Sequence, residues 1–134
     1  MGKGFSINQI SNREFLAGEH HYRLGDDNIF YVTLNGDADD EMGIEIDRTI
    51  NRMAEDIDGE IDLLIDLNRA GKTSSGSRKL FKAFTETSHC RKVALFGMHP
   101  VSMVIASFVM GISRNKNMKF FKTREVAIQW LKQE

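Results

Sequence analysis

The chain of 134 residues is poor in the residues that punctuate or cross-link proteins: one proline, one cysteine and one tryptophan. A lone cysteine, Cys90, excludes an internal disulfide framework and suits a reducing, cytoplasmic setting. The single proline, with no repeat or low-complexity tract, leaves nothing that reads as a linker between domains. No run of 18 apolar residues occurs, so no membrane span is expected, and the N-terminus lacks the basic-then-apolar order of a secretory leader. Net charge is also scarce, at −1. With 41% hydrophobic residues and a mean hydropathy of −0.34, the chain is long enough for one sizeable core and too short for two.

The small net charge conceals a strong asymmetry. Residues 1–67 carry 16 acidic and 5 basic side chains, whereas residues 68–134 carry 3 and 13, so the halves bear −11 and +10. The basic half has no aromatic residues interleaved at strand spacing, and nucleic acid is not an expected partner.

Residues 1–18 show no clean periodicity and read as an irregular N-terminal arm preceding a single domain over 19–134. His20–Leu24 and Ile29–Asn35, joined by Gly25–Asn28, read as a β-hairpin. Met42, Ile46, Ile50, Met53 and Ile57 then recur at helical spacing, with Asp37 or Asp39 to cap the start and Gly59 as a stop signal. Ile61–Leu67 alternates as a strand, and 68–76 reads as a polar loop. Leu80, Phe81 and Phe84 form the inner face of a second helix. Val93–Gly97 is a fourth strand, Pro100 opens a helix that is apolar on nearly every side through Ile112, and Met118–Phe121 is a fifth strand. Thr123 caps a last helix with Val126, Ala127, Trp130 and Leu131 inward. The expected fold is α/β: a mainly parallel five-stranded sheet with an antiparallel first strand and four helices, all crossover helices on one face.

Five segments carry a family likeness: Asp66-Leu67-Asn68, Lys72-Thr73-Ser74-Ser75 before Arg78-Lys79-Leu80, Lys92–Gly97, Phe120–Thr123 and Ala127–Leu131. Together they resemble the small bacterial STAS-like proteins, which are grouped with anti-sigma-factor antagonists and share a fold with CRAL-TRIO lipid-binding domains. The resemblance implies a STAS-like fold and a non-enzymatic, partner-binding role. It also places Ser75 where an antagonist is phosphorylated by its partner kinase, although Thr73 stands where that family has Asp.

The carboxyl ends of parallel strands and the helix starts that follow them converge on one edge, which is where ligands usually bind. On that edge the candidate ligand or regulatory residues are Asn68, Lys72, Thr73, Ser74, Ser75 and His99. Thr73–Ser75 either cap the second helix or, with Lys72, also hold an anion at its free amides. A phosphate loop is excluded because its first glycine would be Asp66. His20 and His21 alternate on a strand and point apart, so no metal site is expected, and no cofactor is implied. Val101, Val104, Ile105, Phe108 and Val109 on the apolar helix are a candidate homodimer interface or lipid-facing wall, the alternative being a core helix with a partly covered back. The expected partners are therefore a second copy and a regulatory protein, with a small amphipathic or lipid ligand as the alternative.

Overall fold

The structure, a computed structural model, describes residues 7–97 and 117–133. Among the described residues seven strands form one sheet in strictly sequential order: β1 (Ile7–Ser11), β2 (Glu14–Ala17), β3 (His20–Leu24), β4 (Ile29–Ala38), β5 (Ile61–Thr73), β6 (Cys90–Phe96) and β7 (Met118–Phe121). The first four pair antiparallel and the last four pair parallel, β4 belonging to both groups. Helices α1 (Asp40–Glu55) and α2 (Ser75–Thr85) connect parallel strands, and α3 (Arg124–Leu131) follows β7.

The α/β class and the parallel half agree with expectation, but the sheet has seven strands where five were expected. The difference lies at the N-terminus. Residues 7–17 are two strands of the same sheet, not an irregular arm, and Phe15 and Ala17 are fully buried. The Phe15 ring stacks on Tyr22 of β3 at 4.7 Å between centroids. These strands are four and five residues long, too short to display a convincing period, so partners in the sheet decide their conformation. Three helices occur among the described residues rather than four. The expected helix at 101–112, with His99 and the interface residues Val101, Val104, Ile105, Phe108 and Val109, lies outside them.

The hairpin β3–β4 forms as its turn residues dictate, with Asn28 at φ 61° closing it. Phe30, Val32, Leu63, Ile65, Leu67, Val93 and Leu95 point to the face covered by α1 and α2, where the main core sits. Ile29, Leu64, Ala94 and Phe96 point to the other face and meet Ala127 and Leu131 of α3. The helices therefore occupy both faces. The handedness rule binds crossovers, and α3, which returns to no strand, is free to cover the opposite side.

Position along α3 is fixed by polar tethers. Asp62, buried in β5, accepts bonds from Arg91 Nε at 3.0 Å and Nη2 at 2.7 Å. The same guanidinium donates to the Leu131 carbonyl at 2.8 Å, and Lys92 Nζ donates to the Trp130 carbonyl at 3.0 Å, satisfying acceptors that the helix end leaves open. Thr123 caps the other end as expected. Val126, expected inward, is instead 49% exposed, because the short helix turns Ala127 and Leu131 to the sheet.

Candidate functional site

The site expected on a polar loop is built from strand and helix. β5 does not end at Leu67 but continues through Thr73, pairing Arg69 with Asn35, Ala70 with Gly36 and Thr73 with Ala38. Long strands need not be apolar throughout when a neighbour supplies the hydrogen bonds, and β4 extends alongside. Asn68 and Thr73 are consequently separated by about 17 Å of extended chain. Asn68, exposed, bonds to Asp66 through its amide and side chain, both at 2.9 Å. It does not join Lys72–Ser75.

At the end of β5 the chain is held tightly. The Lys72 N–H donates to Asp37 Oδ1 at 2.7 Å, and the Ser74 N–H donates to the Ala38 carbonyl at 2.9 Å. Ser74 is the cap of α2: its Oγ accepts the Ser77 N–H at 3.1 Å. Asp39, rather than Asp37, caps α1, accepting the Met42 N–H at 2.9 Å. The two helix starts are then bonded to one another, since the Ser77 hydroxyl donates to the Asp39 carbonyl at 2.7 Å. Arg78 donates to the Thr73 carbonyl.

This junction is close enough to require glycines. A Cβ on Gly43 of α1 would meet Ser77 Cβ at 2.8 Å and its Cα at 2.9 Å, and one on Gly76 would meet the Asp40 carboxyl carbon at 2.7 Å. The acidic side chain of Asp40 therefore lies against the first turn of α2, where an anion was expected. Lys72 and Ser75 are exposed, and Thr73 and Ser74 are half-buried. Ser75 takes no part in the cap. Among the described residues no three His, Cys, Asp or Glu side chains are grouped to hold a metal.

Behind this edge lies a feature with no signature in the sequence, a partly enclosed cavity of about 120 Å³ between the sheet and the α1–α2 pair. Val32, Ile65 and Leu67 line it from the sheet and Ile46, Ile50 and Phe81 from the helices. At its margin is His20, 1% exposed. β3 pairs with β4 only as far as Thr33, and the imidazole takes over where the strand stops. Its Nδ1 accepts the Asn35 N–H at 2.9 Å, which leaves Nε2 to donate to the Asp37 carbonyl at 3.0 Å. The ring is thus held as one neutral tautomer, and burial lowers its pKa against the opposing pull of the Asp37 bond and the Glu19 and Asp37 charges.

Sequence comparison places this architecture. A family model described as a domain of unknown function, DUF7793, matches residues 24–134. The chain belongs to that family. β1, β2 and nearly all of β3 precede the matched segment, which begins at Leu24. Among curated proteins none matches. Among solved structures, an uncharacterised DUF3478-family protein with a SpoIIAA-like fold from Shewanella loihica is similar at 15% identity and a TM-score of 0.62, covering 98% of each chain. The anti-sigma factor antagonist SpoIIAA in its unphosphorylated form is similar at 13% identity and a TM-score of 0.50, covering 96% of this chain and 97% of its own. At such identities the likeness concerns the fold, which is STAS-like as the sequence motifs implied. No helix among the described residues is long and apolar enough to cross a membrane.

Proposed function

We propose that this protein is a non-enzymatic regulatory module that docks a protein partner over the first turn of α2, with Ser75 as the position whose modification controls docking. The observation that carries the reading is the different use of two adjacent serines. Ser74 is committed to the cap, whereas Ser75 is exposed on the outer surface of the same turn, between exposed Lys72 and Lys79. Its hydroxyl is thus accessible without unfolding the helix, and its removal leaves the cap intact.

The neighbouring charges give modification a consequence. A phosphate would add about −1.5 to −2 charges beside Asp40, whose carboxylate already abuts Gly76. With exposed Lys72, Lys79 and Asp40 around it, the phosphate turns the local charge from net positive to net negative. A partner that recognises the mixed surface is released. The STAS-like fold supports the reading, since one similar structure is of an anti-sigma factor antagonist described as unphosphorylated.

The test is site-specific photo-crosslinking in cells, with the photoreactive residue at Lys79 and, as a control, at exposed Arg48 on α1. A discrete crosslinked protein is expected from position 79, lost when Ser75→Asp is added and retained with Ser75→Ala. Identical products from both positions, or products indifferent to Ser75→Asp, overturn the proposal.

A further inference from the structure

We infer that the cavity between the sheet and the α1–α2 pair is a binding site for a small, uncharged, apolar molecule of about one aromatic ring or a short alkyl chain. Protein interiors are packed as densely as organic crystals, with few voids larger than a water molecule. Here Leu34, Ile46, Ile50 and Phe81 join the main core yet remain only half-buried, and all four line the cavity. Their unburied surface borders a space that the side chains of the described residues do not fill. An engineered apolar cavity of about 150 Å³ holds benzene or xenon, and the present one, at about 120 Å³, is of that order.

Charge selectivity follows from a lining that is mostly apolar and whose polar groups are largely occupied by bonds within the protein. His20 uses both ring nitrogens on Asn35 and Asp37, and the Ser77 hydroxyl is donated to the Asp39 carbonyl. Arg78 donates to the Thr73 carbonyl, and Asp47 accepts from Asn51 Nδ2 at 3.1 Å. A charged ligand would exchange its hydration for a largely apolar enclosure, at the desolvation cost that buried charges carry. An uncharged apolar ligand meets no such cost. The close α1–α2 approach at Gly43 and Ser77 bounds the cavity at one end, both residues being part of its lining. This inference stands independently of partner docking at Ser75, which lies on the outer surface.

The experiment is methyl NMR of Ile46, Ile50 and Ile65 in the full chain, with benzene and xenon as probes and benzoate and benzylammonium as charged counterparts of similar size. Benzene and xenon are expected to shift these methyls saturably, and benzene to raise Tm with the logarithm of its concentration. Both charged probes should bind at least tenfold more weakly. Ile46→Phe and Leu34→Phe, which fill the space, should abolish the benzene response while Tm stays at or above wild type. Ser75→Asp should leave the response unchanged. If either filling variant fails to fold, the wild-type titrations decide alone. Methyls that do not respond to benzene or xenon overturn the inference, and so does benzoate or benzylammonium binding as tightly as benzene.

Discussion

Gly43→Ala is a change whose sign separates local from tertiary reasoning. In an isolated helix, replacing an interior glycine by alanine stabilises by about 1 kcal/mol, because alanine loses less backbone entropy. In this fold the added Cβ meets Ser77 Cβ at 2.8 Å and Cα at 2.9 Å, and overlaps the hydroxyl that donates to the Asp39 carbonyl. Forcing an extra methyl into a packed contact costs about 1–3 kcal/mol, and losing the Ser77 bond adds about 1 kcal/mol. The balance is a net destabilisation of about 1–3 kcal/mol. Urea unfolding followed by helical circular dichroism measures it directly. Combining Gly43→Ala with Ser77→Gly, which removes two of the three clashing atoms, should recover at least about 0.5 kcal/mol relative to the sum of the single changes. A Gly43→Ala protein as stable as wild type, or more so, would refute the α1–α2 junction described here.

Three further outcomes are expected. Ser74→Ala should lower stability by about 1 kcal/mol as a lost cap, whereas Ser75→Ala should change it by less than about 0.5 kcal/mol; equal effects in urea titrations would contradict the assignment of the cap. Burial lowers the pKa of His20 below its ordinary 6.5, so the unfolded chain takes up a proton that the folded chain refuses. The stability is complete above about pH 6.5 and falls below it, at up to about 1.4 kcal/mol per pH unit, until the folded imidazole itself titrates. The difference in unfolding free energy between wild type and His20→Gln, measured from pH 8 to 5, should show that slope, and a flat difference would count against a buried neutral ring. Cys90 is buried and its thiol is pushed up to about 12, first by burial and then by Asp62 and Glu60. It should resist alkylation at pH 8 in the native protein and react only on unfolding; rapid native labelling would show that β6 opens locally.

Much of the parallel half is local information and could be read directly. The stripe Met42–Met53 gave α1, the Gly25–Asn28 turn gave the β3–β4 hairpin, and Thr123 marked the start of α3. In each case the residues that specify the element also lie within it, so a period or a cap suffices. The STAS-like likeness rested on short segments of this kind, and the fold bears it out. Ser74 and Ser75 were likewise legible as a helix start, although their different roles were not.

Elsewhere the conformation depends on partners far along the chain. Ile7–Ser11 and Glu14–Ala17 are strands because β3 offers a free edge and Phe15 finds Tyr22, a contact that no four- or five-residue window contains. Asn68–Thr73 is polar and reads as a loop, yet β4 beside it supplies the hydrogen bonds that keep it extended. Asp40, about 35 residues upstream, comes to lie against the first turn of α2 once α1 and α2 meet at Gly43 and Gly76. The cavity draws its lining from β3, β4, β5, β6, α1 and α2. A void is an absence of atoms among distant residues. Hydrophobic periodicity fixes which side chains face inward, but only the assembled fold decides whether they meet.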